Sequence, residues 1–173
     1  MTVERSIKGK VVKLGDSVNT DVMSPGQYIQ EGLDAVRLHT MEAIRPEFYK
    51  DVKPRDIILG GKNFGCGSHR ESATSVMKHM GVSAVVADSV ARLYYRSCIA
   101  FGIPSFSVEG VSRLFEEGDE MEIIMAEDQI TIKNLTRGKE ITSPPIPEVM
   151  AKIWEAGGVY PLLKQKLAEG TVR

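Results

Sequence analysis

Cysteine is scarce: Cys66 and Cys98 are the only two in 173 residues, and no CxxC pair is present. Two thiols fall short of the ligand sets of structural zinc and iron–sulfur centres. In a reducing compartment a disulfide between them is not expected. The histidines His39, His69 and His79 form no HExxH or comparable spacing, so no metal site is expected within this chain. Charge of one sign is also lacking. With 22 basic and 23 acidic residues the net charge is −1, and no global field selects nucleic acid or an anionic membrane, so neither is an expected partner. Apolar runs such as the one ending at Val86 are too short to span a bilayer. The opening MTVERSIKGK has no apolar signal core, which makes a cytoplasmic location the expectation. Aromatic residues, at 6%, leave little stacking surface.

What remains is the composition of an ordinary folded domain, 42% hydrophobic and 26% charged. The length suits a single domain over 1–173. Gly9 to Leu14 reads as an opening strand, followed by a turn-rich loop, GDSVNTDVMSPG. Apolar residues Leu33, Val36, Met41 and Ile44 predict a helix over 33–44, and a short helix fits around Phe48. Asp56 to Gly60 is a short buried strand, and a helix is expected from His69 to Met80. The order then repeats: a strand at Ser83–Ala87, a helix capped by Ser89 and running to Ala100, and a strand at Ile103–Val108. Such strand–helix–strand units imply parallel pairing. Beyond Gly110, MEIIM, QITIKN and KEITS read as strands, punctuated by Asn134 and Arg137-Gly138. Two final helices are expected, one with Val149, Met150, Ile153 and Trp154 on its face and one over Val159–Ala168. The fold class is therefore α/β, a mixed sheet with peripheral helices.

Chemistry concentrates in Gly60–Glu71, GGKNFGCGSHRE, between a buried strand and a helix, where α/β proteins place ligands. Its glycines let backbone approach a ligand closely. Ser68 and Glu71 have capping-box spacing, which predicts Ser68 at a helix N-terminus where the dipole favours an anion. Arg70 adds a guanidinium fork suited to a carboxylate. On these grounds the segment is a carboxylate or phosphate site. A plainer reading stands beside it: Ser68 as a cap, and Arg70 as a surface partner of Glu71 or a neighbouring loop. The phosphate-loop templates fail, since GCGSHR lacks the third glycine of GxGxxG and no GK[ST] follows. Cys66 reads as a small loop or buried residue, His69 as a solvent-facing first-turn residue, and His79 as a partner of its helix C-terminus.

These residues carry a resemblance. GGKNFGCGSHRESA resembles the signature of the swivel domain of the aconitase superfamily, a GxNFGxGSSREHA pattern. VNTDVMSPGQYI, DSVARLYYRSCIAFGIP and EAGGVYPLLKQKLAE are similar to further segments of the same family, in the same order along nearly the whole chain. The length fits the separate small subunit of 3-isopropylmalate dehydratase-type hydro-lyases. The resemblance implies a swivelling β/β/α domain, built on a mixed sheet or flattened barrel. It also implies a large-subunit partner that holds a [4Fe–4S] cluster, while this chain holds no cofactor. The implied reaction is the stereospecific dehydration and hydration that interconverts 2- and 3-isopropylmalate in leucine biosynthesis.

The roles that the resemblance implies fall on particular residues. Ser68 matches the serine whose alkoxide abstracts the proton beside a substrate carboxylate, and Arg70 the arginine that binds a carboxylate. Gly67 belongs to the same binding loop. Thr20 and Asp21 match the early loop at the site, in a supporting role. His69 stands where a second serine is usual, Ser72 where histidine is usual, and Val90 where phenylalanine is usual. In the segment that reads the variable end of the substrate, relatives carry YLV(Y/M) or, in homoaconitases, YLRT; this chain has Tyr28-Ile29-Gln30-Glu31. Gln30 replaces the arginine that would pair a third carboxylate, and Glu31 would repel one. A small dicarboxylate with an apolar or weakly polar group is therefore the expected substrate. Alternatives are a 2,3-dimethylmalate dehydratase or homoaconitase small subunit, or a carboxylate-binding module without catalysis. For Gln30 and Glu31 the plainer reading is solvent-facing side chains on a loop.

Overall fold

The computed structural model describes residues 5–68 and 70–170. Its pivot is strand β1 (Arg5–Lys13), which alternates in exposure before burying Val11 and Val12 together. On one side β1 pairs in parallel with β2 (Ile57–Gly60), followed by β3 (Ala84–Ala87) and β4 (Ser105–Ser107). On the other side it pairs antiparallel with β5 (Glu120–Met125), followed by β6 (Ile130–Asn134) and β7 (Lys139–Ser143). The mixed sheet thus has the order β4-β3-β2-β1-β5-β6-β7. Every residue of β2 and β3 is buried, as parallel strands covered on both faces require.

The two-residue period of a strand sends neighbouring side chains into two cores. Val12, Ile58 and Val85 join one, with Phe64, Val76, Met77 and Tyr94. Val11, Ile57, Leu59 and Val86 join the other, with Phe106, Phe115, Ile123 and Trp154. The first core is roofed by α1 (Thr20–Met23), α2 (Leu33–His39), α3 (Phe48–Asp51), α4 (Glu71–His79) and α5 (Arg92–Phe101). The chain then ends with α6 (Glu148–Glu155), which sends Trp154 into the second core, and α7 (Val159–Ala168). None of the helices among the described residues is long and apolar enough to cross a membrane.

A buried carboxylate organises the hairpin side. Asp119 accepts from Glu116 N–H at 2.8 Å, the Asn134 amide at 2.8 Å and Arg137 Nε at 2.7 Å. Burial disfavours its charge, but these hydrogen bonds outweigh that penalty and hold the carboxyl below its ordinary value.

Several sequence expectations need correction. The helix over 33–44 ends at His39, because Met41 adopts φ 61° to bury its side chain while its N–H meets the Val22 carbonyl at 2.9 Å. Ser89 caps no helix: α5 begins at Arg92, and the Ser89 hydroxyl instead accepts the Asn63 N–H at 2.8 Å. Val149 is 61% exposed, so the packed face of α6 is Ala151 and Trp154, with Met150 partly buried. The expected start of α4 at His69 falls outside the described residues, and the described helix begins at Glu71.

Candidate active site

Two loops leave the same end of neighbouring strands, 14–24 after β1 and 61–70 after β2, and are stitched together. Gly65 N–H donates to the Val18 carbonyl at 2.8 Å, and Thr20 N–H to the Cys66 carbonyl at 2.8 Å. The Thr20 hydroxyl donates to the Ser68 carbonyl, and the Ser24 hydroxyl to that of Ser72 at 2.7 Å. Thr20 and Ser24 are buried, so these polar bonds are protected from water and fix the register of the two loops. Ser72, which departs from the family pattern, thus has a partner in Ser24.

The loop geometry displaces Ser68 from its expected place. Gly67 takes φ 94°, a region that favours glycine, and a Cβ there would collide with the Asn19 side chain. That turn, with the Thr20 bonds, directs the chain toward the 19–21 loop before the helix starts. Arg70 is then the residue preceding α4, and it makes no side-chain cap. The capping box of Ser68 and Glu71 does not form.

Ser68 instead donates its hydroxyl to Asp21 Oδ1 at 3.0 Å. Arg70 Nε approaches the same oxygen at 3.1 Å. Asp21 is itself held at the start of α1, where its N–H donates to Asn19 Oδ1 at 2.7 Å. Arg70 lies over Gly26: a Cβ at that position would sit 2.5 Å from Arg70 Nη1, so the glycine makes room for the guanidinium. One carboxylate thus gathers a hydroxyl and a guanidinium. Asp21, Gly67 and Ser68 are exposed and open to a partner or substrate. Chemically, the cluster can receive a carboxylate on Arg70 while Ser68 presents an oriented oxygen beside it.

Of the expected site residues, Thr20, Asp21, Gly67, Ser68 and Arg70 meet in this cluster. Tyr28, Gln30 and Glu31 follow Gly26 in one short 3-10 helix, Gly26–Glu31. Tyr28 is half-buried and stacks on His39, with ring centres 3.6 Å apart and planes within 8°. His39 Nδ1 in turn meets Glu42 Oε2 at 2.6 Å. Gln30 and Glu31 are exposed and make no side-chain hydrogen bond among the described residues. Arg37 faces the Tyr49 ring at 5.6 Å. Sequence reasoning missed Asn19, although an Asn directly before Thr-Asp is a helix-start signal. It also missed His39, for which no local signal exists.

The other candidates play plainer parts. His79 Nε2 contacts Asp34 Oδ1 at 2.9 Å, tying α4 to α2. Cys98 is fully buried, and burial pushes its thiol up to about 12, which leaves it inert. Cys66 is half-buried, with Sγ 3.4 Å from the Ser17 carbonyl. Among the described residues, no group of three His, Cys, Asp or Glu could hold a metal ion.

Residues 16–106, which contain every member of the Ser68–Asp21–Arg70 cluster, match the Aconitase C-terminal domain family. The isopropylmalate/citramalate isomerase small subunit of Methanocaldococcus jannaschii is 44% identical over 164 residues, 94% of this chain and 96% of that protein. The 3-isopropylmalate dehydratase small subunit of Thermodesulfovibrio yellowstonii is 43% identical, covering 94% and 96%. The methanogen homoaconitase small subunit of Methanothermobacter thermautotrophicus is 42% identical, covering 91% and 90%. The crystal structure of a 3-isopropylmalate dehydratase chain from Methanocaldococcus jannaschii superposes with a TM-score of 0.85 at 34% identity, covering 96% of this chain and 98% of that one. The chain belongs to the aconitase C-terminal domain family, among the small subunits of 3-isopropylmalate dehydratase-type hydro-lyases.

Proposed function

We propose that this chain is the single-domain, swivelling small subunit of a cytoplasmic 3-isopropylmalate dehydratase, active only with a large subunit that carries a [4Fe–4S] cluster. Together they interconvert 2- and 3-isopropylmalate in leucine biosynthesis. The observation that carries the reading is the meeting of Ser68 and Arg70 on one oxygen of Asp21. Arg70 binds a substrate carboxylate, exchanging part of its contact with Asp21 for a bidentate one. Ser68 acts in its alkoxide form, which the Arg70 guanidinium stabilises: its oxygen takes the proton from the carbon beside that carboxylate and becomes the hydroxyl that donates to Asp21, while the C–H electron pair stays on the substrate to form the double bond. Asp21 orients both. Thr20 and Gly67 hold the Ser68 backbone in place. The large subunit would hold the cluster, and the part of this chain is to bind and orient the substrate and to move the proton.

The substrate's variable end meets the turn from Tyr28 to Glu31. The relatives' names cover substituents from the methyl of citramalate through isopropyl to the carboxylate of homoaconitate. Gln30 is neutral and Glu31 negative, which disfavours a third carboxylate once water is expelled and favours a dicarboxylate with an apolar substituent. The test is co-expression with the large subunit, anaerobic cluster reconstitution, and assay on a panel of malate derivatives. The expected result is turnover of isopropylmalate by the complex and none by this chain alone. Dehydration by the chelator-treated chain alone, or a reconstituted complex inert on every substituted malate, would overturn the proposal.

A further inference from the structure

The Gly26–Glu31 segment has little of its own to hold it. Its turn-forming backbone bonds are local, from Tyr28 N–H to the Pro25 carbonyl at 3.1 Å and from Gly32 N–H to the Ile29 carbonyl at 3.3 Å. Of its six residues Tyr28 alone is not exposed, and it packs against the first core. The Tyr28 ring lies face to face with His39, with centres 3.6 Å apart and planes within 8°. His39 is in turn firmly placed. It is the last residue of α2, and the two residues after it are buried. The Thr40 hydroxyl donates to the Val36 carbonyl at 2.8 Å, and Met41 N–H to the Val22 carbonyl of α1 at 2.9 Å. Glu42 Oε2 meets His39 Nδ1 at 2.6 Å and sets the rotation of the ring. Helix α1 thus carries Asp21, which aims Ser68 and Arg70, and through Val22 it also anchors the backbone that carries His39.

We propose that His39, its ring turned by Glu42, is the positioning residue of the substrate-reading segment. Its stack on Tyr28 fixes that segment, and with it the exposed Gln30 and Glu31. The inference rests on the proposed reading that this segment meets the variable end of the substrate. A contribution to global stability alone does not account for the arrangement. The His39 and Glu42 side chains are 33% and 40% accessible, and a pair so exposed adds little to the fold. What the contact supplies is orientation, to a segment whose other bonds are local. His39 does not touch the reacting atoms and acts through Tyr28. Its loss therefore weakens binding and selection of the substrate more than the chemical step.

The first readout needs no partner subunit. Chymotrypsin cuts after Tyr28 only when that ring leaves its stack, so the initial rate of this cut on the full chain, read by fragment mass, reports the open population. His39→Ala should be cut at least about tenfold faster, and His39→Phe, which keeps a flat ring, within about twofold of wild type. Glu42→Ala, which frees the ring without removing it, should also be cut faster, and it decides the matter if His39→Ala misfolds. The second readout uses the assembled, cluster-loaded enzyme. His39→Ala should raise KM for isopropylmalate at least about tenfold with a smaller change in kcat, and should narrow the preference over homoaconitate. His39→Phe should restore both. Cleavage no faster in His39→Ala and Glu42→Ala than in wild type, or faster cleavage with KM and preference unmoved, overturns the inference. A wild-type complex inert on every substituted malate overturns the proposed reaction instead, and the cleavage rates still decide whether His39 holds the segment.

Discussion

The Ser68 hydroxyl donates to Asp21 Oδ1 at 3.0 Å, a contact that spans 47 positions of sequence. It makes Asp21 the residue that aims the proposed base, and through Arg70 Nε at 3.1 Å the same oxygen aims the proposed carboxylate binder. The contact is exposed: Asp21 and Arg70 side chains are 49% and 37% accessible, so its worth to stability is only about 0–1 kcal/mol. Its value lies in orientation.

Asp21→Ala should therefore lower kcat/KM of the assembled enzyme by about 100-fold, the scale of a misplacement near 1 Å. The melting temperature should barely move. Asp21→Asn, which keeps an acceptor for Ser68 but loses the ion pair with Arg70, should fall between the two. Steady-state kinetics and thermal melts on the same preparations check this.

Substrate choice should follow the charge at positions 30 and 31. Losing a charge-assisted hydrogen bond costs about 1.5–3 kcal/mol. Dicarboxylates such as 3-isopropylmalate or dimethylmalate should accordingly exceed homoaconitate by at least about tenfold in kcat/KM. Gln30→Arg combined with Glu31→Thr should narrow or reverse the ratio. Competition assays with both substrates read it directly. A wild-type preference for homoaconitate would mean that another cation reads that end.

Acid stability should depend on Asp119, whose carboxyl is held below its ordinary value by Glu116 N–H, Asn134 and Arg137 against the penalty of burial. A depressed carboxyl stabilises the fold above its unfolded-state value, about 3.9, and that contribution disappears as pH falls through the folded-state value. Asp119→Asn should cost about 1.5–3 kcal/mol at pH 7. It should also flatten the remaining loss of stability below about pH 4. Urea melts across pH 2–7 measure both effects.

The sheet was legible because its signals are local. The apolar runs of β2 and β3 are buried at every position, and Gly157-Gly158 marks the start of α7 at Val159 as expected. Asn134 punctuates the β6–β7 hairpin by accepting from the N–H groups of Thr136 and Arg137. The site was legible only as a set of residues. Ser68 and Glu71 have the spacing of a capping box, but bonds from Thr20, 48 positions away, hold the Ser68 backbone outside the helix. Likewise the Tyr28–His39 stack joins two elements that no periodicity links. Long-range pairing overrides local preference in both places, and one sequence read alone carries no record of it.

The most direct measurement is the single-turnover rate of the assembled, cluster-loaded enzyme carrying Ser68→Ala. Because Ser68 is exposed and caps no helix, this change should leave stability within about 0.5 kcal/mol of wild type. Substrate should still bind through Arg70, while the rate should fall by several orders of magnitude if Ser68 moves the proton. A Ser68→Ala complex that turns over within about tenfold of wild type would contradict the account, because Ser68 would then be a bystander in the cluster around Asp21.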